Sequence, residues 1–270
     1  MNPRPIGVFD SGMGGLTAVR RLRRLMPSEN IIYFGDTARV PYGNRSRETL
    51  LQYARQDLRF LESFDLKAVL VACGTISANC LEDLRPDSGI PVIGVVEPAV
   101  KRAAAETKTG KIGMVATRAS VSSGAYERAL ARTAPGLEMR SLACPLFVPL
   151  VEEGRFRPGD VVIETIAREY LAPLREPAVD TLILGCTHYP LLRDVIGGVM
   201  GPSVRLIDVG GEAAAACRNL LAEGDALANR ETGSIRCYTS DHAANFERLA
   251  SLFLGEDLRG KVEHVDIAQY

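Results

Sequence analysis

The 270-residue chain carries 32 Lys and Arg against 33 Asp and Glu, a formal net charge of −1, so its charge balance does not favour a nucleic-acid or membrane partner. Its hydrophobic content of 46% supports a sizeable core, and no stretch approaches the roughly 20 apolar residues of a membrane span or resembles a signal peptide. We therefore expect a soluble cytoplasmic protein with one large or two ordinary domains.

Apolar runs and amphipathic segments alternate along the chain, which predicts an α/β fold with mainly parallel sheets. In the first half this pattern predicts strands at 5–10, 30–34, 67–72 and 91–95 and helices at 14–26, 46–63 and 76–85. In the second half it predicts strands at 111–116, 137–142, 180–185 and 204–207 and helices at 97–106, 121–133, 158–171 and 189–199. The remaining elements would return the chain to the first unit, with a helix at 210–222, a strand at 234–239 and a final helix and strand.

The two halves of the sequence resemble each other. Residues 6–11 match residues 112–117, and residues 91–95 are echoed by residues 204–209. This repeat predicts two similar α/β domains related by a pseudo-two-fold axis, with an active site in the cleft between them. The domain boundaries follow from the repeat, with the first domain at 1–96 plus 211–270 and the second at 97–210.

A cysteine follows an apolar run at the same place in each half. Residues 69–75 place Cys73 after such a run, and residues 182–188 do the same for Cys186. Such runs, ended by small and hydroxyl residues, are typical of buried parallel strands. Ligands of open α/β sheets sit at the carboxyl ends of the strands. We therefore expect one thiol on each side of a ligand held between the domains.

Two opposed thiols suit proton transfer at a carbon atom. A thiolate on one side can remove a proton while a thiol on the other side returns one to the opposite face. A free thiol has a pKa near ~8.5 and needs charged neighbours to tune it. Asp10 in the first half and His188, two residues after Cys186, are the candidates for these neighbours.

The glycine-rich segment at residues 10–15 follows the first strand. It has neither the G-x-G-x-x-G register nor the P-loop lysine, and Asp10 would repel a phosphate. Two interpretations remain from the residues alone. The segment is either a backbone nest that binds a carboxylate with help from Ser11, or a tight turn.

The cysteine spacing predicts reduced thiols rather than disulfides or a zinc site. Cys80, Cys217 and Cys237 fall within predicted helices or strands, where a free cysteine usually behaves as a small buried hydrophobe. A zinc ion held by Cys73, Cys186 and His188 would lack a fourth ligand at ordinary spacing. We expect neither a metal nor a cofactor.

Five segments together resemble the signature segments of cofactor-independent glutamate racemases: residues 7–12, 33–37, 41–43, 144–154 and 185–191. The resemblance covers most of the chain in the expected order. It implies two α/β domains around a buried site, Cys73 and Cys186 as the catalytic acid and base, and glutamate as the small-molecule substrate. It also implies a role in supplying D-glutamate for peptidoglycan, and it leaves monomer and homodimer open.

The same resemblance implies which residues line the substrate: Asp10, Ser11, Tyr42, Gly43, Gly74, Thr75, Thr117, Thr187 and His188. Glu152 falls on a further family position near the site, and Asp10 and His188 would also assist catalysis.

The chain departs from the family pattern at two places. Gly74 stands where the family usually has Asn, and residues 208–210 read Asp-Val-Gly instead of Asp-Ser-Ala. Two other interpretations therefore stay open: an aspartate racemase or related amino-acid racemase, and a non-catalytic ligand-binding relative.

Overall fold

The structure is a computed structural model that describes residues 1–175 and 178–270. It contains two parallel sheets flanked by helices. The first sheet has six strands: β1 (Ile6–Asp10), β2 (Ile31–Gly35), β3 (Ala68–Val71), β4 (Val92–Gly94), β9 (Ile235–Thr239) and β10 (Val262–His264). The second sheet has four: β5 (Lys111–Ala116), β6 (Glu138–Ala143), β7 (Thr181–Leu184) and β8 (Arg205–Asp208).

Four neighbouring strands of the first sheet have the same order as the four strands of the second sheet. The first runs β10-β9-β2-β1-β3-β4 and the second β6-β5-β7-β8, and neighbouring strands are parallel in both. The four strands β2-β1-β3-β4 therefore correspond to β6-β5-β7-β8, and β9 and β10 extend the first sheet. The predicted fold of two similar parallel α/β domains is confirmed, since the matching segments fall on the equivalent strands β1 and β5.

Helices cover the sheets. Those whose closest partners belong to the first half are α1 (Leu16–Leu25), α2 (Arg47–Glu62), α3 (Gly74–Asn79), α4 (Leu81–Asp87), α11 (Val209–Glu223) and α12 (Ala243–Leu254). The others are α5 (Val96–Glu106), α6 (Arg118–Ser122), α7 (Ala125–Thr133), α8 (Phe147–Glu152), α9 (Val161–Leu171) and α10 (Arg193–Met200). Over the described part of the chain, no helix is both long and apolar enough to cross a bilayer.

Three predicted helices differ from the structure, and one further helix was not predicted. The helix predicted at 189–199 begins with a 3₁₀ turn at Tyr189–Leu192 and is α-helical only from Arg193. The helix predicted at 76–85 is two helices, α3 and α4, which meet at a non-helical Cys80 with φ −130°. The helix predicted at 121–133 is also two, because Gly124 adopts φ +63°, a left-handed conformation that glycine tolerates. Helix α8 was not predicted, and its Pro149 lies in the first turn, where the missing N–H breaks no helical hydrogen bond.

The apolar strands lie in the hydrophobic core. Every residue of β1, β2, β3 and β7 is buried, as expected for parallel strands covered by helices on both faces. The largest apolar cluster continues from one half into the other, through the helices α1, α5 and α11. Gly210 makes this packing close, since a Cβ there would lie 3.1 Å from the Cβ of Ala18. Helix α11 also contacts β3, and α5 contacts β7, so the junction lies beside the two strands that lead to the cysteines.

Candidate active site

The carboxyl ends of β3 and β7 open onto one cavity of about 270 Å³ between the two sheets. Every residue that the sequence predicted for the site lines this cavity except Asp10. The lining residues that the prediction missed are Gly12, Val40, Pro41, Asn44, Arg118, Cys144, Pro145, Val148 and Pro149. Several of these belong to the signature segments, so the segments could have suggested them.

Asp10 lies behind the cavity wall and is fully buried. Its Oδ2 accepts hydrogen bonds from the backbone N–H groups of Gly12 at 3.3 Å and Gly15 at 2.9 Å. The loop is therefore a tight turn in which some of the backbone N–H groups bind the Asp10 carboxylate. Ser11 remains on the cavity surface. Burial raises the pKa of Asp10, and the opposing influences are the charge of His188 and the loop N–H groups.

Cys73 caps the N-terminus of α3 and is only 3% exposed. Burial, followed by the negative charge of Asp10, raises the pKa of its thiol. The backbone N–H of Ile76 and the side chain of Ser11 act in the opposite direction but do not reverse the shift. This shift favours the neutral thiol form of Cys73, which is the state required of a proton donor.

Cys186 has a different environment, because His188 connects it to Glu152. The Sγ of Cys186 lies 3.9 Å from Nδ1 of His188, and Nε2 of His188 lies 3.0 Å from Oε1 of Glu152. Burial lowers the pKa of His188, but the hydrogen bonds to Cys186 and Glu152 outweigh it and raise the pKa to about 10. His188 is therefore an imidazolium at neutral pH, held between the sulfur of Cys186 and the carboxylate of Glu152.

The two cysteine-bearing strand ends approach each other closely. A Cβ on Gly74 would lie 2.4 Å from the backbone oxygen of Gly185 and 3.7 Å from Cα of Cys186. A Cβ on Gly14 would lie 2.3 Å from Oγ1 of Thr187. No ordinary side chain fits at either glycine without movement, so both permit the close contact between the halves.

Hydrogen bonds also join the cavity walls. Thr75 and Thr117 share a hydrogen bond of 3.0 Å between their hydroxyl groups. Thr117 also caps α6 by accepting from the N–H of Ser120. On the other side, Thr17 donates to the backbone oxygen of Thr187 at 3.2 Å. These contacts fix the two walls relative to each other.

Residues 1–175 and 178–270 contain no group of three or more His, Cys, Asp and Glu side chains that could hold a metal ion. The cavity lining itself supplies two thiols and a histidine paired with a carboxylate as acid and base groups. A thiol and a histidine-paired thiol at equivalent strand ends define a two-domain α/β protein equipped for acid–base chemistry.

Comparison with known proteins gives the family. A model of the Asp/Glu/Hydantoin racemase family matches residues 17–217, and the chain belongs to this family. It is 46% identical to a glutamate racemase of Geobacter metallireducens, over 98% of this chain and 97% of that protein. It is 43% identical to a glutamate racemase of Streptococcus gordonii, over 99% and 100% of the two chains.

Solved structures agree with this assignment. A glutamate racemase isoform of Bacillus anthracis superposes with a TM-score of 0.93 at 38% identity, over 98% of both chains. The Francisella tularensis glutamate racemase, solved in complex with D-glutamate, superposes with a TM-score of 0.92 at 36% identity, over 100% of both chains. An aspartate racemase of Picrophilus torridus is 16% identical with a TM-score of 0.56, over 82% of this chain and 94% of its own, a likeness of fold alone.

Proposed function

We propose that this protein is a glutamate racemase that interconverts L- and D-glutamate by two-base proton transfer at Cα, without a cofactor. The observation that carries the proposal is the pair of cysteines at equivalent strand ends of one cavity. The near-full-length similarity to glutamate racemases supports the substrate. The product D-glutamate would serve peptidoglycan synthesis.

The proposed reaction assigns opposite roles to the two thiols. The thiolate of Cys186 removes the Cα proton of one enantiomer, and the electron pair of the broken C–H bond stays on the substrate. The thiol of Cys73 then donates its proton to the opposite face of that carbon. The other enantiomer reacts with the roles exchanged. His188 faces the sulfur of Cys186, and burial together with the charge of Asp10 raises the pKa of the Cys73 thiol.

The substrate contacts follow from the polar groups on the cavity surface. Glutamate brings two carboxylates and an ammonium group, which need several hydrogen-bond partners each. The proposed partners are Ser11, Tyr42, Gly43, Gly74, Thr75, Thr117, Thr187 and His188, with Glu152 acting through His188. At Gly74 the family's usual amide is absent, and the glycine N–H is the group that we propose in its place.

The proposal also covers the domain boundaries, the cellular compartment and the oligomeric state. We propose domains at 1–96 plus 211–270 and at 97–210, which keep each sheet within one domain. A cytoplasmic site of action is supported by six free cysteines, which persist in a reducing compartment. We also propose a homodimer, because Val161 and Val162 expose apolar side chains at the start of α9. Sedimentation velocity tests this proposal.

The decisive experiment incubates the pure protein with L-glutamate in heavy water without added cofactor. Optical rotation and deuterium at Cα should change together, and the same assay with L-aspartate should give a much slower reaction. Faster turnover of aspartate would contradict the assigned substrate. Binding of glutamate without any exchange at Cα would instead identify a non-catalytic ligand-binding protein.

A further inference from the structure

A buried polar cluster supports one wall of the cavity from behind. The wall is formed by residues 40–44, and the cluster consists of Asp36, Arg39, Tyr42 and Asp57. Arg39 donates from Nε to Oδ2 of Asp36 at 2.5 Å and from Nη2 to Oδ1 of Asp57 at 2.8 Å. Asp57 belongs to α2, does not line the cavity and has a fully buried side chain. The cluster therefore joins α2 to the wall.

Two ionised carboxylates can only accept hydrogen bonds, so the contacts around Tyr42 need one further proton. The phenol of Tyr42 faces both carboxylates but has a single hydrogen, which it donates to Oδ2 of Asp36. Its oxygen also lies 3.3 Å from Oδ2 of Asp57. A proton on this Oδ2 completes the pattern, because Asp57 then donates to Tyr42 while its Oδ1 still accepts from Arg39. Oδ1 of Asp36 accepts from Ser240 at 2.7 Å.

The charges lead to the same conclusion. Arg39 offers one positive charge to two fully buried carboxylates, and a second buried negative charge without a partner is strongly unfavourable. Burial, followed by the charge of Asp36, raises the pKa of Asp57 well above its ordinary value; Arg39 and the hydrogen bond with Tyr42 oppose the rise, and Asp10 adds to it. Among the described residues, the other polar groups in contact with the cluster are neutral: Gln56, Ser240 and Tyr53, whose ring lies under Arg39.

We propose that Asp57 is a positioning residue that, as a neutral carboxylic acid, holds Tyr42 and through it the wall at residues 40–44. Asp57 reaches the substrate only through Tyr42, because it lies outside the cavity lining. The kinetic consequence rests on the proposed racemisation of glutamate. The protonation state of Asp57 is measurable without any activity, so the two proposals can fail separately.

The kinetic test compares two substitutions. Asp57→Asn keeps the shape and supplies an amide N–H where the acid carries its proton, so kcat and KM for glutamate should stay close to those of the wild type. Asp57→Ala leaves Tyr42 and Arg39 without this partner. We expect its KM to rise about tenfold to hundredfold, with a smaller change in kcat because both thiols remain. Asp87→Asn, which removes an exposed ion pair with Arg55, is the control and should change neither constant.

Two further measurements do not depend on activity. The infrared spectrum of the wild type at neutral pH should contain a protonated-carboxyl band that Asp57→Asn lacks. The unfolding temperature of Asp57→Asn should exceed that of the wild type by a margin that grows above pH 3.8, because unfolded Asp57 ionises there while folded Asp57 keeps its proton.

Equal damage from Asp57→Asn and Asp57→Ala would show that the charged form is needed, and a wild-type KM in Asp57→Ala would show that the wall does not depend on this residue. Either result overturns the proposal, as does absence of the infrared band. A wild-type protein that racemises no amino acid would contradict the proposed function, while the band and the unfolding temperatures would still decide the state of Asp57.

Discussion

Gly74 is the position where this chain departs from its family inside the site, and the structure predicts what a side chain there would do. A Cβ at Gly74 would lie 2.4 Å from the backbone oxygen of Gly185, whereas ordinary contacts begin at 3.4 Å. Backbone cannot rotate away like a flexible side chain, so the two strand ends would have to separate by about 1 Å. A misplacement of this size typically lowers kcat by about 100-fold.

The assay compares Gly74→Ala with Gly74→Asn in steady-state racemisation of both enantiomers. Both substitutions introduce the Cβ, so both should lower kcat by about 100-fold. Only Asn adds the amide of the family pattern, so the difference between the two variants measures that amide alone. Gly89→Ala is the matched control, since a Cβ at Gly89 meets no atom within 4 Å, and it should leave kcat unchanged.

Wild-type kcat in Gly74→Ala would refute the reasoning, because it would show that the strand ends adjust without loss. A large gain in kcat/KM for Gly74→Asn would refute it differently. That gain would mean that the cavity is under-filled by glutamate and that a bulkier substrate is the natural one.

Three further predictions concern the thiols and their neighbours. Cys73→Ala and Cys186→Ala should each reduce racemisation by ~10²–10⁴-fold or more while glutamate binding, measured by calorimetry, persists; near-normal turnover in either variant would contradict the two-base assignment. His188→Asn should reduce kcat more in one direction than in the other, with KM compensating so that the equilibrium stays fixed, and equal losses in both directions would indicate a purely structural histidine. The pKa of His188 rises from 6.5 to about 10 on folding, so its stabilisation is complete below pH 6.5 and is lost as the pH rises through about 10. Urea unfolding across this pH range should show the loss as a decrease in the free energy of unfolding of the wild type. The decrease should be smaller in Glu152→Gln, because this substitution weakens the 3.0 Å contact to His188. Identical pH profiles for the two proteins would contradict the role of Glu152.

The fold was predictable because its signals are local and repeated. Apolar runs ended by small residues located β3 and β7, and the matching segments at residues 6–11 and 112–117 identified equivalent strands. The break at Gly124 also has a local signal, since glycine alone adopts its conformation without strain. The break at Cys80 has none, because no glycine or proline precedes it.

The site was less predictable than the fold, because its geometry depends on contacts between distant segments. Hydrogen bonding of Asp10 to its own loop removed this residue from the cavity surface, although its type and position suggested a substrate contact. Asp57 lies in an ordinary amphipathic helix, and its importance becomes visible only when Arg39 and Tyr42 reach it. Neither fact is encoded in residue spacing.

The near-complete enclosure of both reactive sulfurs has a chemical consequence. Cys73 is 3% exposed and Cys186 is 7% exposed, and both line the cavity described above, so a reagent approaches either sulfur through that cavity. A molecule bound in the cavity would lie between solvent and both sulfurs. The two thiols would therefore be shielded from alkylating agents together, by the same ligand.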